Sequence, residues 1–136
     1  MPPSSMTRFV IDAPTALRLI EEGSAIGAGH QLVAPSTLRS QVLDLLYRQH
    51  GGAPLRGEVA QQLDRLSELK IRLLGDRVSR STAWKIAAQL GWDALGPAEY
   101  LAVAKLQADA LVTDDERLRA AADGIVPLAS FDELLR

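Results

Sequence analysis

Short apolar runs, each ending at a polar residue or a proline and separated by longer stretches with apolar residues at helical spacing, constrain this chain most. Phe9-Val10-Ile11-Asp12 is the first. Four residues are too few for a helix, and the pattern is that of a buried strand with a polar carboxyl tip. His30-Gln31-Leu32-Val33-Ala34, Ile71-Arg72-Leu73-Leu74, Ala110-Leu111-Val112-Thr113 and Ile125 to Leu128 read as four further strands. Such runs alternating with amphipathic helices predict an α/β chain with a mostly parallel sheet of about five short strands flanked by helices.

The intervening helices carry their own start and stop signals. Pro14 suits a first turn capped by Asp12 or Ala13, with Leu17, Leu19 and Ile20 as the apolar stripe before Gly23. Pro35 opens a second helix bearing Leu38, Val42, Leu45 and Leu46, which ends at Gly51-Gly52. Gly57 to Lys70 presents Val59, Leu63, Leu66 and Leu69 at helical spacing, as a face for the core or for a partner segment. Ser79 or Ser81 caps a helix through Trp84, expected in the core, to Gly91. Pro97 opens another, to about Gln107, and short helical pieces follow at Leu118 to Ala122 and Phe131 to Leu135.

Composition narrows the function classes. At 136 residues, 47% of them hydrophobic, the chain suits one domain, 1–136, with one core. It contains no cysteine, which excludes disulfides, thiolate metal sites and cysteine nucleophiles. The net charge of −2 excludes a generally basic nucleic-acid coat while leaving room for local patches such as Arg77-Val78-Ser79-Arg80. No run reaches the roughly 18–20 apolar residues that span a bilayer, and the first residues lack the apolar stretch of a signal peptide. The expectation is a cytoplasmic protein without membrane contact, residues 1–6 forming a disordered tail. Glycine-rich phosphate motifs are absent, and His30 and His50 have no ligand-spaced partner.

Parallel α/β sheets bind ligands outside the carboxyl ends of their strands, near a topological switch point. Asp12, Pro35 and Thr113 to Asp115 fall at such ends. Asp12 reads either as a helix cap or as a ligand for a hard cation, and Thr113-Asp114-Asp115-Glu116 poses the same choice. Two strand tips ending in carboxylates point towards a magnesium- or manganese-type site, which uses oxygen ligands and retains water.

These residues resemble the PIN-domain nucleases, in particular the VapC-type toxins of bacterial toxin–antitoxin pairs. The resemblance rests on Phe9 to Asp12, on Leu32-Val33-Ala34-Pro35 with the following Ser36 to Val42, and on Tyr100 to Ala104 followed by Ala110 to Leu118. It implies a three-layer fold, clustered acids holding Mg²⁺ or Mn²⁺, and cleavage of RNA by metal-activated water. It also implies a cognate antitoxin that covers the site, and a homodimer. Asp12 matches the family's first acid, Asp115 its last, and Thr113 the hydroxyl before that last acid. Gln41 stands where the family carries a glutamate, Pro97 where it carries an aspartate, and Pro14 where it commonly carries a serine. Glu99 is the substitute carboxylate nearest Pro97; Asp93, Asp44, Asp114 and Glu116 are further sources of charge. The expected site is therefore Asp12, Gln41, Glu99, Thr113 and Asp115, with Asp12, Asp115 and Glu99 as metal ligands. The alternative is a catalytically weakened domain that binds RNA or protein.

Overall fold

In a computed structural model that describes residues 6–136, four parallel strands form one sheet in the order β3-β2-β1-β4. The strands are β1 (Thr7–Ile11), β2 (His30–Pro35), β3 (Ile71–Leu74) and β4 (Ala110–Val112). Seven helices connect or follow them: α1 (Ala13–Glu22), α2 (Leu38–Gln49), α3 (Glu58–Glu68), α4 (Arg77–Leu90), α5 (Gly96–Gln107), α6 (Glu116–Ala121) and α7 (Phe131–Leu135). Residues 1–5 of the expected tail lie outside the described residues, and Met6 is exposed.

Topology places the helices. The chain runs β1 to β2 to β3 in one direction across the sheet, then returns over the whole sheet to β4 on the far side of β1. Parallel crossovers are right-handed, so helices of the outward run and those of the return run cover opposite faces. The contacts agree: α1, α2 and α3 pack on one another, whereas α4 packs on α5 and α5 on β1 and β2. The result fits a three-layer α/β arrangement. Val10, Ile11, Leu32, Val33, Ala34 and Leu111 are all but inaccessible to solvent, as strands covered on both faces must be. Helix α5 buries Ala98 and every residue from Tyr100 to Ala104, which accounts for its lack of a polar face at its centre.

Four strands form instead of the expected five. Residues 122–125 make a turn, and only Leu128 bridges to β4, with the Leu111 N–H donating to the Pro127 carbonyl and the Ala129 N–H to the Leu111 carbonyl. Pro127 has no N–H to extend the ladder. Pro35 ends β2 rather than opening α2. The register between β1 and β2 stops at Val33, so no donor from Pro35 is needed on that side, and Ser36 N–H meets the Leu74 carbonyl on the other.

Helix α4 begins at Arg77, its cap supplied by Asp76 rather than Ser79 or Ser81; the carboxylate accepts the Ser79 N–H at 2.8 Å. That bond, the Ser79 side chain and the nearby Arg80 cation hold the Asp76 carboxyl below its usual range. Trp84 is 67% exposed instead of buried, because Ala83, Ile86 and Ala87 form the inward stripe of α4. Of the apolar face on α3, Leu66 is buried, whereas Val59 and Leu63 are half-buried. Among the described residues no helix is long and apolar enough to cross a membrane.

Candidate functional site

The strand order reverses between β1 and β4, so the crevice beyond their carboxyl ends is the topological switch point. Asp12 follows β1 and Thr113 follows β4, with Ile11 paired to Val112. The register alone therefore sets the two residues side by side. Thr113 Oγ1 donates to Asp12 Oδ2 in a short hydrogen bond. Asp12 Oδ1 accepts the Thr15 N–H at 3.0 Å and the Thr15 hydroxyl at 2.5 Å. The helix-cap reading of Asp12 holds: one oxygen caps α1, and the other faces Thr113.

Asp12 is 4% exposed, and its hydrogen-bond partners among the described residues are two hydroxyls and a backbone amide. Among the described residues the ion pairs join Arg18 to Glu22, Arg48 to Asp44 and Arg136 to Asp132, all at the surface, so none neutralises Asp12. A buried carboxylate without a cation is unfavourable unless its hydrogen bonds are good or a counter-charge arrives. Three donors answer the first requirement here.

Negative charge extends along the carboxyl edge of the sheet. Tyr100 of α5 donates its hydroxyl to Gln41 Oε1 of α2. Burial first, then the charges of Asp12 and Glu99, push the Tyr100 phenol well above its ordinary value of 10.0. Gln41, Tyr100, Glu99 and Asp12 thus belong to one electrostatic neighbourhood. Glu99 is half-buried and lines a cavity of about 200 Å³ with Ser36, Thr37 and Arg80. Because the folded-state value is the raised one, this tyrosine favours folding fully below pH 10 and loses that contribution as the pH rises further. Tyr47 and Tyr100 are the only tyrosines. In a Tyr47→Phe variant, tyrosinate absorbance is expected to develop only well above pH 10. A spectrophotometric midpoint at or below 10 would contradict the buried, acid-flanked position.

Asp115 is joined to the same site through its backbone rather than its carboxylate. Its N–H donates to Thr113 Oγ1 at 3.0 Å, while its Oδ1 accepts the Leu118 N–H at 3.0 Å and caps α6. Asp44 turns outward into its ion pair with Arg48. Asp93 and Asp114 are exposed, as is Glu116 in the first turn of α6. Among the described residues no group of three His, Cys, Asp or Glu side chains gathers to hold a metal. The donor set suits a hard cation that takes one or two carboxylates and keeps its water, as Mg²⁺ usually does, rather than an all-protein cage.

Thr15 and Arg119 are the contributors that the sequence reading passes over. Thr15 lies three residues beyond the cap Asp12, the position from which a helical N–H returns to a cap side chain, and that spacing was the available signal. Arg119 Nη1 donates to the Thr113 carbonyl at 2.9 Å. It comes four residues after Asp115, and no local pattern distinguishes it from a solvated arginine.

No family model matches this sequence, and no curated protein matches it. Among solved structures, PAE2754 from Pyrobaculum aerophilum is similar in fold: the TM-score is 0.70 at 16% identity, over 98% of this chain and 96% of that one. At that identity the likeness extends to the fold alone.

Proposed function

We propose that this chain is a metal-dependent endoribonuclease resembling the VapC toxins, acting on single-stranded or structured RNA. The observation that carries the reading is Asp12: a buried carboxylate at the switch point, held by three uncharged donors and in no ion pair among the described residues. Such an anion is suited to a divalent ion. Tyr100, whose phenol is raised first by burial and then by the charges of Asp12 and Glu99, is consistent with both carboxylates lying on its side of the sheet.

When bound, Mg²⁺ or Mn²⁺ would supply Lewis acidity towards a phosphoryl oxygen and lower the pKa of water. The residues of the chain have distinct tasks. Asp12 is the principal ligand, and Thr15 and Thr113 fix its orientation. Asp115 adds negative charge from the start of α6, and Glu99 is the further carboxylate in this reading. Gln41 contributes an amide oxygen, already engaged by Tyr100, and no charge. An antitoxin over these acids and a homodimer belong to the same reading.

The second reading, a weakened domain that binds RNA or a protein, is favoured by two observations. Asp115 uses a carboxylate oxygen for its helix, and no three-ligand group assembles among the described residues. Calorimetric titration with Mn²⁺ separates the two. Binding at micromolar concentrations or tighter supports the nuclease; no binding overturns it and leaves the binding module. Gln41→Glu restores a charge beside Tyr100 and is expected to tighten Mn²⁺ binding about tenfold or more, since ligand charge sets the affinity of such sites. An unchanged titration would remove Gln41 from the site.

A further inference from the structure

A cleft of about 590 Å³ opens between α1, α6 and α7, with Thr15 and Thr113 in its wall. Both threonines are buried partners of Asp12, so the cleft adjoins the candidate centre. Its volume is that of a small-ligand pocket. We propose that this cleft seats one nucleotide of a single-stranded RNA, with the base stacked on Arg18 and a phosphate against Arg119. The proposal deepens, and rests on, the ribonuclease reading.

A stacking platform is already assembled. The Arg18 guanidinium lies 3.8 Å from the centroid of the Phe131 ring, and its Nε donates to Glu22 at 2.7 Å. The ring and the ion pair together hold the half-exposed Arg18 side chain in the cleft wall. A planar cation held in this way is a partner for a base, as arginine is in single-strand recognition. Arg119 completes the wall: one guanidinium nitrogen is tied to the Thr113 carbonyl, and the group makes no ion pair among the described residues. Tethered next to the residue that bonds Asp12, it is placed to meet a phosphate adjoining the one to be cut.

Two of the four carboxylates in the wall are already paired, Glu22 with Arg18 and Asp132 with Arg136. Glu133 accepts the Ser130 N–H in the capping box of α7 and keeps its charge, as does the exposed Asp114. Arg119 is the cation of the wall that no ion pair among the described residues engages, and a phosphate meets it there.

The test uses a short single-stranded RNA carrying 2-aminopurine, titrated in EDTA so that binding is read apart from metal and cleavage. A rise in fluorescence on binding is expected, as the base leaves its stack within the strand for the guanidinium. Arg18→Gln should weaken binding about tenfold, the scale of one base stack, and abolish the rise. Arg119→Gln should weaken binding and reduce the slope of log K against log salt by about 0.7, one phosphate contact on a single strand, whereas Arg119→Lys should retain the slope. Equal affinity, fluorescence change and slope in wild type and variants would overturn the cleft assignment, as would failure of the wild type to bind. The ribonuclease reading fails separately, through loss of Mn²⁺ binding or of metal-dependent cutting. Phosphate and base contacts that persist in that case would keep the cleft and discard the chemistry.

Discussion

Asp12→Asn is expected to abolish Mn²⁺ binding and to reduce RNA cleavage by at least about 100-fold, while leaving the protein folded. Asparagine is as good a helix cap as aspartate, so its Oδ1 still accepts the Thr15 N–H. The amide side faces the Thr113 hydroxyl, which can accept as well as donate. What is lost is the charge alone. Because that charge is buried and in no ion pair among the described residues, the metal-free variant should melt no lower than the metal-free wild type. Added Mn²⁺ should raise the melting temperature of the wild type and not that of the variant. Asp12→Ala behaves differently: it removes the cap, worth about 1 kcal/mol, and leaves the buried Thr113 hydroxyl without its acceptor, while the Thr15 hydroxyl keeps the Val112 carbonyl at 3.3 Å. A full rate of metal-dependent cutting by Asp12→Asn would exclude Asp12 as the metal ligand and end the nuclease reading at this site.

Leu101→Ala is expected to carry the largest stability cost, about 2–5 kcal/mol, because the cavity it leaves cannot collapse. Leu101 is inaccessible to solvent within α5, the helix that packs on both β1 and β2 and against α4. Domains of this kind are stable by only about 5–15 kcal/mol, so the loss is a large share of the whole. Chemical denaturation should show a lower midpoint with an unchanged slope. Leu55→Ala is the control: Leu55 is 68% exposed, and its removal should change stability by no more than about 0.5 kcal/mol. The cost at Leu101 bears on function too, since the residue adjoins Tyr100, whose hydroxyl reaches Gln41. A loss below about 1 kcal/mol at Leu101 would show that α5 is not the central packing element of its face.

Much of the fold was legible because its signals are local. Phe9 to Asp12 and Ala110 to Thr113 read as strands from their apolar runs, and both form. Pro14 and Gly23 bracket α1 because a fixed φ suits a first turn and a left-handed residue, here at φ 62°, suits a helix end. Two of the misreadings, at Ile125 to Leu128 and at Pro35, share a cause: the local signal was real and its partner was distant. Ile125 to Leu128 has a strand's composition, but the ladder beside β4 closes at one bridge with Pro127 in the way. Pro35 has the look of a helix opener, yet β3 supplies a neighbour that keeps it in the sheet through Leu74. Trp84 sits in an amphipathic helix whose inward stripe is built from Ala83, Ile86 and Ala87, leaving the large ring outside.

The sequence by itself determined the candidate residues: acids at the ends of two buried strands, a glutamine and a proline where the resembled family has acids, and no cysteine or paired histidine. Tertiary structure decided how those residues are engaged. Asp12 and Thr113 are 101 positions apart in the chain and meet because β1 and β4 pair in register across the switch point. The same pairing turns one carboxylate into a buried, unneutralised anion, and local capping commits an oxygen of Asp115 to α6. Charge type and strand position are properties of single residues and short windows. Burial, partnership and the sharing of a lone pair between a helix and a site depend on which distant backbone arrives alongside, and only the folded sheet sets that.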